Sequence, residues 1–485
     1  MRMNERLYHN AVVFLIILFL LLSPFSFFFS NVFAISVEDE QKKGRDAALY
    51  GQYTDAVMDN GFARQYFNQL GQYLITPVET KHFTFHFYVI NNKTVNAFAT
   101  FAGHIFFYSG LINMMDSSDE LAAVLCHEIS HVAARHISKG MDRQKKIMIA
   151  QLAGILAGAL IGGEAAAPLI FGSQAAGMQA QINYTRDNER QADQMGFEYM
   201  ESSGFDPRAM VTVLKKFDQL KRMSPYVDKI PPYIMTHPTD SERMANNDSM
   251  LQDYSPGKPS AQATRFRELW PFFQAVIRAK GLNPHSAEKT FFRELGENPD
   301  SISSHFGLGI VYTETQDYEK AIAHLEKAVK AKPGFAPVLT SLGKAYQRNG
   351  EDEKAISVLK KAKRLNEEDN SIPYLMGLSY ENMGQYDEAI RIFKRLTYFE
   401  PIQNGIYYHL GISYGKQNKL VLAHYNFGIC YKRWRNMEKA KFHFNKAYQL
   451  AKDDPKMREK IRKEQEASHR KAPRQREREE KTDLH

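Results

Sequence analysis

The chain has 485 residues, which gives room for two or three domains. Its 63 Lys and Arg residues only slightly outnumber its 55 Asp and Glu residues, so the formal net charge is a modest +8. Because no nucleic-acid-binding motif accompanies this charge, we expect no nucleic-acid partner.

The segment Met1–Ala34 has the layout of a secretory signal peptide. Arg2 and Arg6 precede an apolar run at 11–22, and Ala34 supplies a small residue at the expected cleavage point. The run is shorter than the roughly 20 apolar residues that span a membrane. A cleaved leader at 1–34 is therefore favoured, with an uncleaved anchor as the alternative.

A small sheet and a long helix are predicted next. The stretches His82–Val89 and His104–Tyr108 alternate apolar and polar residues as strands do. Ser117 and Glu120 then have the spacing of a capping box, which marks the start of a helix. Apolar residues follow at helical spacing, and Gly140 is the expected stop.

This helix carries three residues that can act together. His127 and His131 are four apart and project from one helix face, with Glu128 beside them, whereas His136 is expected to point elsewhere. Two imidazoles one turn apart suit Zn²⁺, and the adjacent glutamate can take a proton from metal-bound water. The pattern predicts a catalytic zinc site; stray histidines on a surface helix are the alternative.

A third ligand is expected from a second helix, since no further histidine follows at a suitable spacing. The segment 184–193 contains Glu189 and Asp193, which lie four apart and hence on one helix face. One carboxylate can bind the metal while the other hydrogen-bonds a ligand imidazole. The residues alone do not decide which does which, and a solvated charged face is the alternative.

Between the two motif helices lies a segment rich in apolar and small residues, at 147–163 and again at 165–182. Gly and Ala permit close helix packing. We expect a helical hairpin packed near the site, in preference to insertion into a bilayer or peripheral contact with one.

These motifs together resemble a known family. The pattern His127-Glu128-x-x-His131 is followed by Thr-Arg-x-x-Glu-x-x-Ala-Asp at 185–193, and then by His237-Pro238 and Arg243. This succession resembles the gluzincin peptidases of the HtpX and CAAX-prenyl-endopeptidase clan. The His-Pro…Arg element is similar to that of its soluble periplasmic branch, the β-barrel assembly-enhancing proteases, which carry a C-terminal tetratricopeptide domain.

The resemblance extends upstream of the metal motif. Val95–Ala99, leading into 103–111, resembles the clan's edge strand before the catalytic helix. Phe101–Gly103 stands where family members usually have Pro-Gly-Gly, so the turn is expected to differ from theirs in geometry.

The resemblance implies one Zn²⁺ per chain. Its ligands would be His127, His131 and Glu189, and Glu128 would be the general base. Asp193 would be the acid that hydrogen-bonds a ligand.

Two further roles follow from the resemblance alone. His237 matches a histidine that can fill the open position of the metal and restrain activity. Arg243 matches a basic residue near the site, where it can stabilise a developing oxyanion.

Several residues recur every 34 positions in the C-terminal half. The recurring residues are Gly309, Gly343, Gly377 and Gly411; Tyr312, Tyr346, Tyr380 and Tyr414; Ala321, Ala355, Ala389 and Ala423; and Pro299, Pro333 and Pro401. This period and pattern predict tetratricopeptide repeats, with an atypical first repeat at 265–300. Gly428 follows Gly411 at half this spacing, so one helix is expected to serve two successive repeats.

The predicted fold class is α+β: a zincin-like metallopeptidase domain at 35–256, followed by an all-α tetratricopeptide solenoid at 265–454. Residues 455–485 are highly charged and predict a disordered tail. Cys126 and Cys430 lie in apolar helical contexts and are expected to be buried free thiols.

The resemblance and the repeats together lead to a functional expectation. It is a periplasmic zinc endopeptidase that degrades misfolded or stalled envelope proteins and docks on the outer-membrane β-barrel assembly machinery through its repeats. The alternative is a chaperone or adaptor with a structural or silent zinc site.

Overall fold

The structure is a computed structural model that describes residues 36–42, 57–79, 82–161, 166–224, 226, 229–399 and 405–469. Within its helices, the side chains of 153–161, 166–170 and 467–469 are not described. The predicted leader at 1–34 therefore lies outside the described residues. The chain divides between Trp270 and Pro271 into two compact units, and Met58–Gln65 groups with the second.

The first unit contains a three-stranded sheet. Its strands are β1 (His86–Ile90), β2 (Ala97–Ala99) and β3 (His104–Tyr108), in the order β1-β3-β2. β3 is parallel to β1 and antiparallel to the edge strand β2. Helix α1 (Gly61–Leu74) covers the sheet, and the rings of Phe67 and Phe107 lie 5.2 Å apart between them.

The sheet agrees with the sequence except in the bounds of the first strand. The third strand has the predicted bounds, but the first runs from His86 to Ile90 instead of from His82 to Val89. The reason lies in the pairing register: His86 is opposite His104, the first residue of β3, so the residues before His86 have no strand to pair with.

The turn before β3 contains two successive residues with positive φ angles. Phe101–Gly103 forms one 3₁₀ turn, in which Ala102 has φ 60° and Gly103 has φ 84°. A Cβ atom on Gly103 would lie 2.7 Å from the carbonyl oxygen of Thr84. Glycine is therefore required at this position, both for its backbone angle and for the space.

Helix α2 (Ser109–Asn113) leads to α3 (Ser118–Ala133), which carries the metal motif. The predicted N-cap is confirmed, since the Ser117 hydroxyl accepts from the Glu120 N–H at 3.2 Å. The Glu120 carboxylate in turn accepts from the Asp116 N–H at 2.9 Å and from Lys216 at 2.6 Å. The predicted helix end is wrong: α3 ends at Ala133, and Gly140 lies inside the next helix.

The predicted hairpin is present among the described residues. It consists of α4 (His136–Ile161) and α5 (Ala166–Ser202). A Cβ atom on Gly177 of α5 would meet Gln151 of α4 at 2.4 Å, and one on Gly140 would meet Tyr184 at 3.4 Å, so the two helices run antiparallel in close contact. In the part of the chain that the structure describes, no helix combines the length and apolar character of a membrane span.

Three helices complete the surroundings of the motif: α6 (Arg208–Met223), α7 (Pro232–Thr236) and α8 (Ser241–Gln252). The side chain of Asp240 caps α8 by accepting from the Arg243 N–H at 2.8 Å. This cap fixes the first turn of α8, from which Arg243 projects.

Helix α9 (Ala261–Gly281) crosses the division between the units. Beyond it, every regular element of the described residues is a helix. These helices are α10 (Pro284–Glu297), α11 (Ile302–Glu314), α12 (Tyr318–Ala331), α13 (Ala336–Arg348), α14 (Asp352–Leu365), α15 (Ser371–Asn382), α16 (Tyr386–Leu396), α17 (Ile406–Lys416), α18 (Leu420–Arg433), α19 (Met437–Leu450) and α20 (Pro455–His469). Pro401 of the predicted proline set lies outside the described residues.

The recurring glycines mark where paired helices touch. A Cβ atom on Gly343 would lie 2.5 Å from Leu359, and one on Gly377 would lie 2.6 Å from Phe393, in each case on the next helix of the chain. Gly309 and Gly411 meet Leu325 and Phe427 in the same way. Each glycine thus admits a large side chain of the partner helix, as the predicted repeat requires.

Helix α18 serves two successive pairs, as the slipped register predicted. It packs against α17 on one side and α19 on the other, and a Cβ atom on Gly428 would lie 2.5 Å from Phe444 of α19. The expected disordered tail differs from the structure in its first part, because Pro455–His469 forms α20. Ile461 supplies the reason: it is fully buried against α19, and this contact orders an otherwise charged segment.

Candidate metal centre

Four side chains from three elements converge in the first unit. They are His127 and His131 of α3, Glu189 of α5 and His237 at the C-terminus of α7. Each offers one ligand atom, and these atoms all lie within 4.8 Å of one another. The first three residues are buried and His237 is partly buried.

The distances show how closely these atoms approach. His127 Nε2 lies 3.0 Å from His131 Nε2 and 3.4 Å from Glu189 Oε2. His237 Nδ1 lies 3.0 Å from Glu189 Oε1 and 3.3 Å from His127 Nε2. Imidazole nitrogens and a carboxylate turned toward one point form a donor set compatible with a metal ion, and nitrogen-rich sets of this kind suit zinc.

Close packing of two helices brings the carboxylate to the histidines. A Cβ atom on Gly196 of α5 would lie only 3.4 Å from the backbone nitrogen of His127. Because no side chain separates the helices at this point, Asp193 and Glu189, which lie one and two turns earlier on α5, reach α3. The segment 184–193 is helical as predicted.

Glu128 is the fifth member of the site. It is 1% exposed, and its Oε1 has no hydrogen-bond partner among the described atoms. The same oxygen lies 3.6 Å from His237 Nε2. A buried carboxylate oxygen without a partner is costly, and its position beside the ligand cluster is where a proton acceptor for an attacking water is needed.

Behind His127 lies a buried network of polar groups. Asp193 Oδ1 lies 2.9 Å from His127 Nδ1, which leaves Nε2 directed at the cluster. Arg243 donates from Nε to Asp193 Oδ2 at 2.7 Å, and its Nη1 lies 2.9 Å from Glu189 Oε2. Asn247 also donates to Asp193 at 3.0 Å. Arg243 therefore holds the two carboxylates of α5 in place from α8.

The electrostatics follow from burial and these contacts. Burial is the largest single influence and disfavours the charged forms of Glu189 and Asp193, but Arg243 and the neighbouring histidines together outweigh it and hold the pKa of each carboxyl below its usual value, well below for Glu189. Burial also disfavours charge on His127, yet the Glu189 and Asp193 carboxylates together raise its pKa to about 9. Burial lowers the pKa of His131 to about 4.

His136 was predicted to lie apart from the ligands, and it is not one of the four clustered ligand residues, but it contacts His131 from behind, which the sequence did not predict. Its Nδ1 lies 2.9 Å from His131 Nδ1, and its Nε2 lies 3.0 Å from Gln191 Oε1. The prediction assumed that one helix runs from Ser118 through His136. Instead the chain turns at Arg135, which has φ 57°, and His136 begins a new helix.

Sequence reasoning also missed Tyr233. Its ring is buried and lies 4.6 Å from that of His237, at an interplanar angle of 30°. Burial, with Glu128 nearby, raises the pKa of its phenol well above the usual value. No signal in the sequence marks Tyr233 or Gln191, whereas His136 was visible as a third histidine close to the motif.

Comparisons with known proteins agree with this arrangement. Residues 63–250 match peptidase family M48, 274–336 and 421–454 match tetratricopeptide repeat families, and 314–396 match the family of anaphase-promoting complex, cyclosome, subunit 3. The β-barrel assembly-enhancing protease of Yersinia pestis is 28% identical over 62% of this chain and 61% of its own length. The mitochondrial metalloendopeptidase OMA1 of Arabidopsis thaliana is 31% identical over 32% of this chain and 29% of its own.

Part of the chain is also similar to a solved structure. A tetratricopeptide protein of Thermus thermophilus, TTC0263, is 21% identical over 36% of this chain and 96% of its own, with a TM-score of 0.31. The alignment with the Yersinia protease spans about three fifths of that relative. Residues 63–250 of this chain are thus similar to peptidase family M48, and the matches to tetratricopeptide repeat families lie beyond them in the chain.

Proposed function

We propose that the chain is a zinc-dependent endopeptidase in which His127, His131 and Glu189 hold the metal and Glu128 is the general base. The single observation that carries this proposal is the place of Glu128, buried beside the ligand cluster with a carboxylate oxygen that has no hydrogen-bond partner among the described atoms and lies 3.6 Å from His237 Nε2. A purely structural site has no use for such a group. The match of residues 63–250 to a peptidase family supports the same conclusion.

The residues divide the chemistry between them. Bound zinc supplies a Lewis acid that polarises the scissile carbonyl. Glu128 accepts the proton of the attacking water and returns it to the departing amine. Asp193 holds His127 with Nε2 facing the cluster, and Arg243 holds Asp193 and Glu189 in position.

His237 is proposed as a regulatory ligand. Its Nδ1 lies within the same cluster as the three ligands, 3.0 Å from Glu189 Oε1. A catalytic zinc would need one position open for water, and His237 would compete with water for that position. Because His237 lies just beyond the single turn of α7, a small shift of this segment releases the position.

Location and substrates rest on the leader and on the relatives. Residues 1–34 favour export to the periplasm. The name of the Yersinia relative points to β-barrel assembly, so we propose misfolded or stalled envelope proteins as substrates. Tetratricopeptide solenoids present extended surfaces to protein partners, and this role is proposed here for docking on the outer-membrane β-barrel assembly machinery.

The test replaces Glu128 with Gln, which cannot accept a proton. We expect unchanged zinc content by elemental analysis and a loss of about 10²–10⁴-fold in the hydrolysis of casein or an unfolded barrel protein. Glu198→Gln, an exposed residue of α5, is the matched control and should cleave at the wild-type rate. Digestion by Glu128→Gln at that rate would refute the mechanism.

The alternative is a chaperone or adaptor with a silent metal site. The observation that favours it is His237, which stands among the ligand atoms where water is needed. Under this alternative, wild type and Glu128→Gln capture the same envelope proteins and neither cleaves them.

A further inference from the structure

A second series of polar contacts lies behind His131, the second histidine of the motif. His136 begins α4 and is 5% exposed, and its ring stands 4.9 Å from that of His131 at an angle of 77°. The edge-on arrangement places Nδ1 of one ring 2.9 Å from Nδ1 of the other. On the far side of His136, Nε2 lies 3.0 Å from the side-chain oxygen of Gln191.

The hydrogen positions in this series of contacts can be assigned in order, from Gln191 through His136 to His131. The amide oxygen of Gln191 only accepts, so His136 Nε2 carries a hydrogen and donates it. The neutral His136 ring then has a lone pair on Nδ1, which accepts the hydrogen of His131 Nδ1. His131 is thereby left with a lone pair on Nε2, the atom that faces His127 and Glu189.

His136 is not itself one of the converging ligands. Its Nδ1 faces the side of His131 that points away from the cluster, and the group of four ligand atoms in the described chain does not include it. Its contact is therefore of the kind that fixes the tautomer and orientation of a metal ligand from behind.

We propose that His136, oriented by Gln191, is a positioning residue that holds His131 in the tautomer required for metal binding. The proposal rests on the metal site of the proposed function and adds the group that prepares its second histidine. The two histidine ligands are then held differently: His127 by the ionised Asp193, and His131 by a neutral imidazole.

The test measures the affinity of the full chain for Zn²⁺ by competition with a chromogenic chelator. His136→Ala should weaken binding about 10–100-fold, the usual loss when the partner of a ligand histidine is removed. His136→Asn should recover most of the affinity, because its amide oxygen can accept from His131 Nδ1. Gln191→Leu should have a smaller effect, since Gln191 lies at the surface, where water can replace it.

His104→Ala is the matched control for structural damage. His104 is 6% exposed, lies in the same unit and is hydrogen-bonded to Tyr88, but it belongs to the sheet. It should lower the unfolding temperature without changing zinc affinity. Wild-type affinity in His136→Ala, or an equal loss in His104→Ala, would overturn the proposal.

A spectroscopic measurement adds a readout that packing alone would not change. In the Co²⁺-loaded protein, the visible absorption bands report ligand geometry, and we expect them to shift in His136→Ala and to return in His136→Asn. Both measurements are made without turnover. A wild type that binds Zn²⁺ but cleaves nothing would therefore refute the proposed function and leave this inference standing.

Discussion

Replacement of Arg243 tests the electrostatics of the site most directly. Its guanidinium lies 2.9 Å from Glu189 and 2.7 Å from Asp193, and all three side chains are at least nine-tenths buried. Leu at this position leaves two carboxylates buried without their cation. Removing one partner of a buried ion pair costs about 3–5 kcal/mol, so we expect Arg243→Leu to destabilise the first unit by that amount.

The same two helices offer a matched control. Arg190 of α5 reaches back to Glu242 of α8 at 2.7 Å, but both side chains are about half exposed, at 51% and 53%. An exposed pair contributes about 0–1 kcal/mol. Arg190→Leu thus removes an arginine between the same elements while leaving no buried charge unpaired.

Thermal unfolding of the full chain measures the difference. For a domain of this size about 1 kcal/mol corresponds to roughly 2–4 °C, so Arg243→Leu should lower Tm by roughly 6–20 °C and Arg190→Leu by less than about 4 °C. Excess Zn²⁺ should recover part of the loss, because it places positive charge beside Glu189. Equal Tm values for the two variants would refute the reasoning, and lost activity at unchanged Tm would assign Arg243 to the transition state instead.

Two further predictions concern regulation and the repeats. His237→Ala should raise the turnover of unfolded protein with zinc content unchanged. The expected factor is about one divided by the fraction of wild-type molecules in which His237 is away from the metal. Lower activity would show that His237 assists the reaction. Gly343→Ala should be less stable than Gly296→Ala by about 1–3 kcal/mol in chemical unfolding, because its Cβ atom would meet Leu359 at 2.5 Å while that of Gly296 meets open space. Both glycines lie in helices and gain the same helix propensity, so equal stabilities would contradict the packing argument.

Helical spacing made much of the site predictable. Residues four apart share a face, and this rule brings His127 toward His131 and Glu189 toward Asp193 without any knowledge of the fold. The repeat period worked equally well, because Gly309 and Gly343 each meet a leucine of the helix that follows. Both patterns depend on fixed spacings along the chain, and such spacings can be read from the sequence without knowledge of the fold.

The break between α3 and α4 could not be predicted in this way. Ala133 and Arg135 favour helix, and no Gly or Pro separates them from His136. The turn at Arg135 is instead held by Glu40, which is 3% exposed and accepts from Arg135 Nε at 2.9 Å. Because this contact joins residues 95 positions apart, no local pattern reveals it, and the direction of His136 follows from it.

Arg243 shows the limit of reasoning from resemblance. The motif placed it near the site and suggested a role toward the substrate, but its partners depend on how α8 packs against α5. The structure turns its guanidinium onto Glu189 and Asp193. Which atoms a long side chain reaches is decided by the elements facing it, and those elements are far apart in the chain.

The charges of the site explain why its parts depend on one another. Glu128, Glu189 and Asp193 bring three carboxylates into a buried region, and Arg243 supplies one positive charge against them. A divalent cation bound there balances the remaining two negative charges, which lowers the cost of burying all three carboxylates. Burial lowers the pKa of His127, but Glu189 and Asp193 together raise it to about 9, so these surroundings favour positive charge at the same point. The raised pKa and the expected affinity for zinc are therefore two consequences of one excess of negative charge.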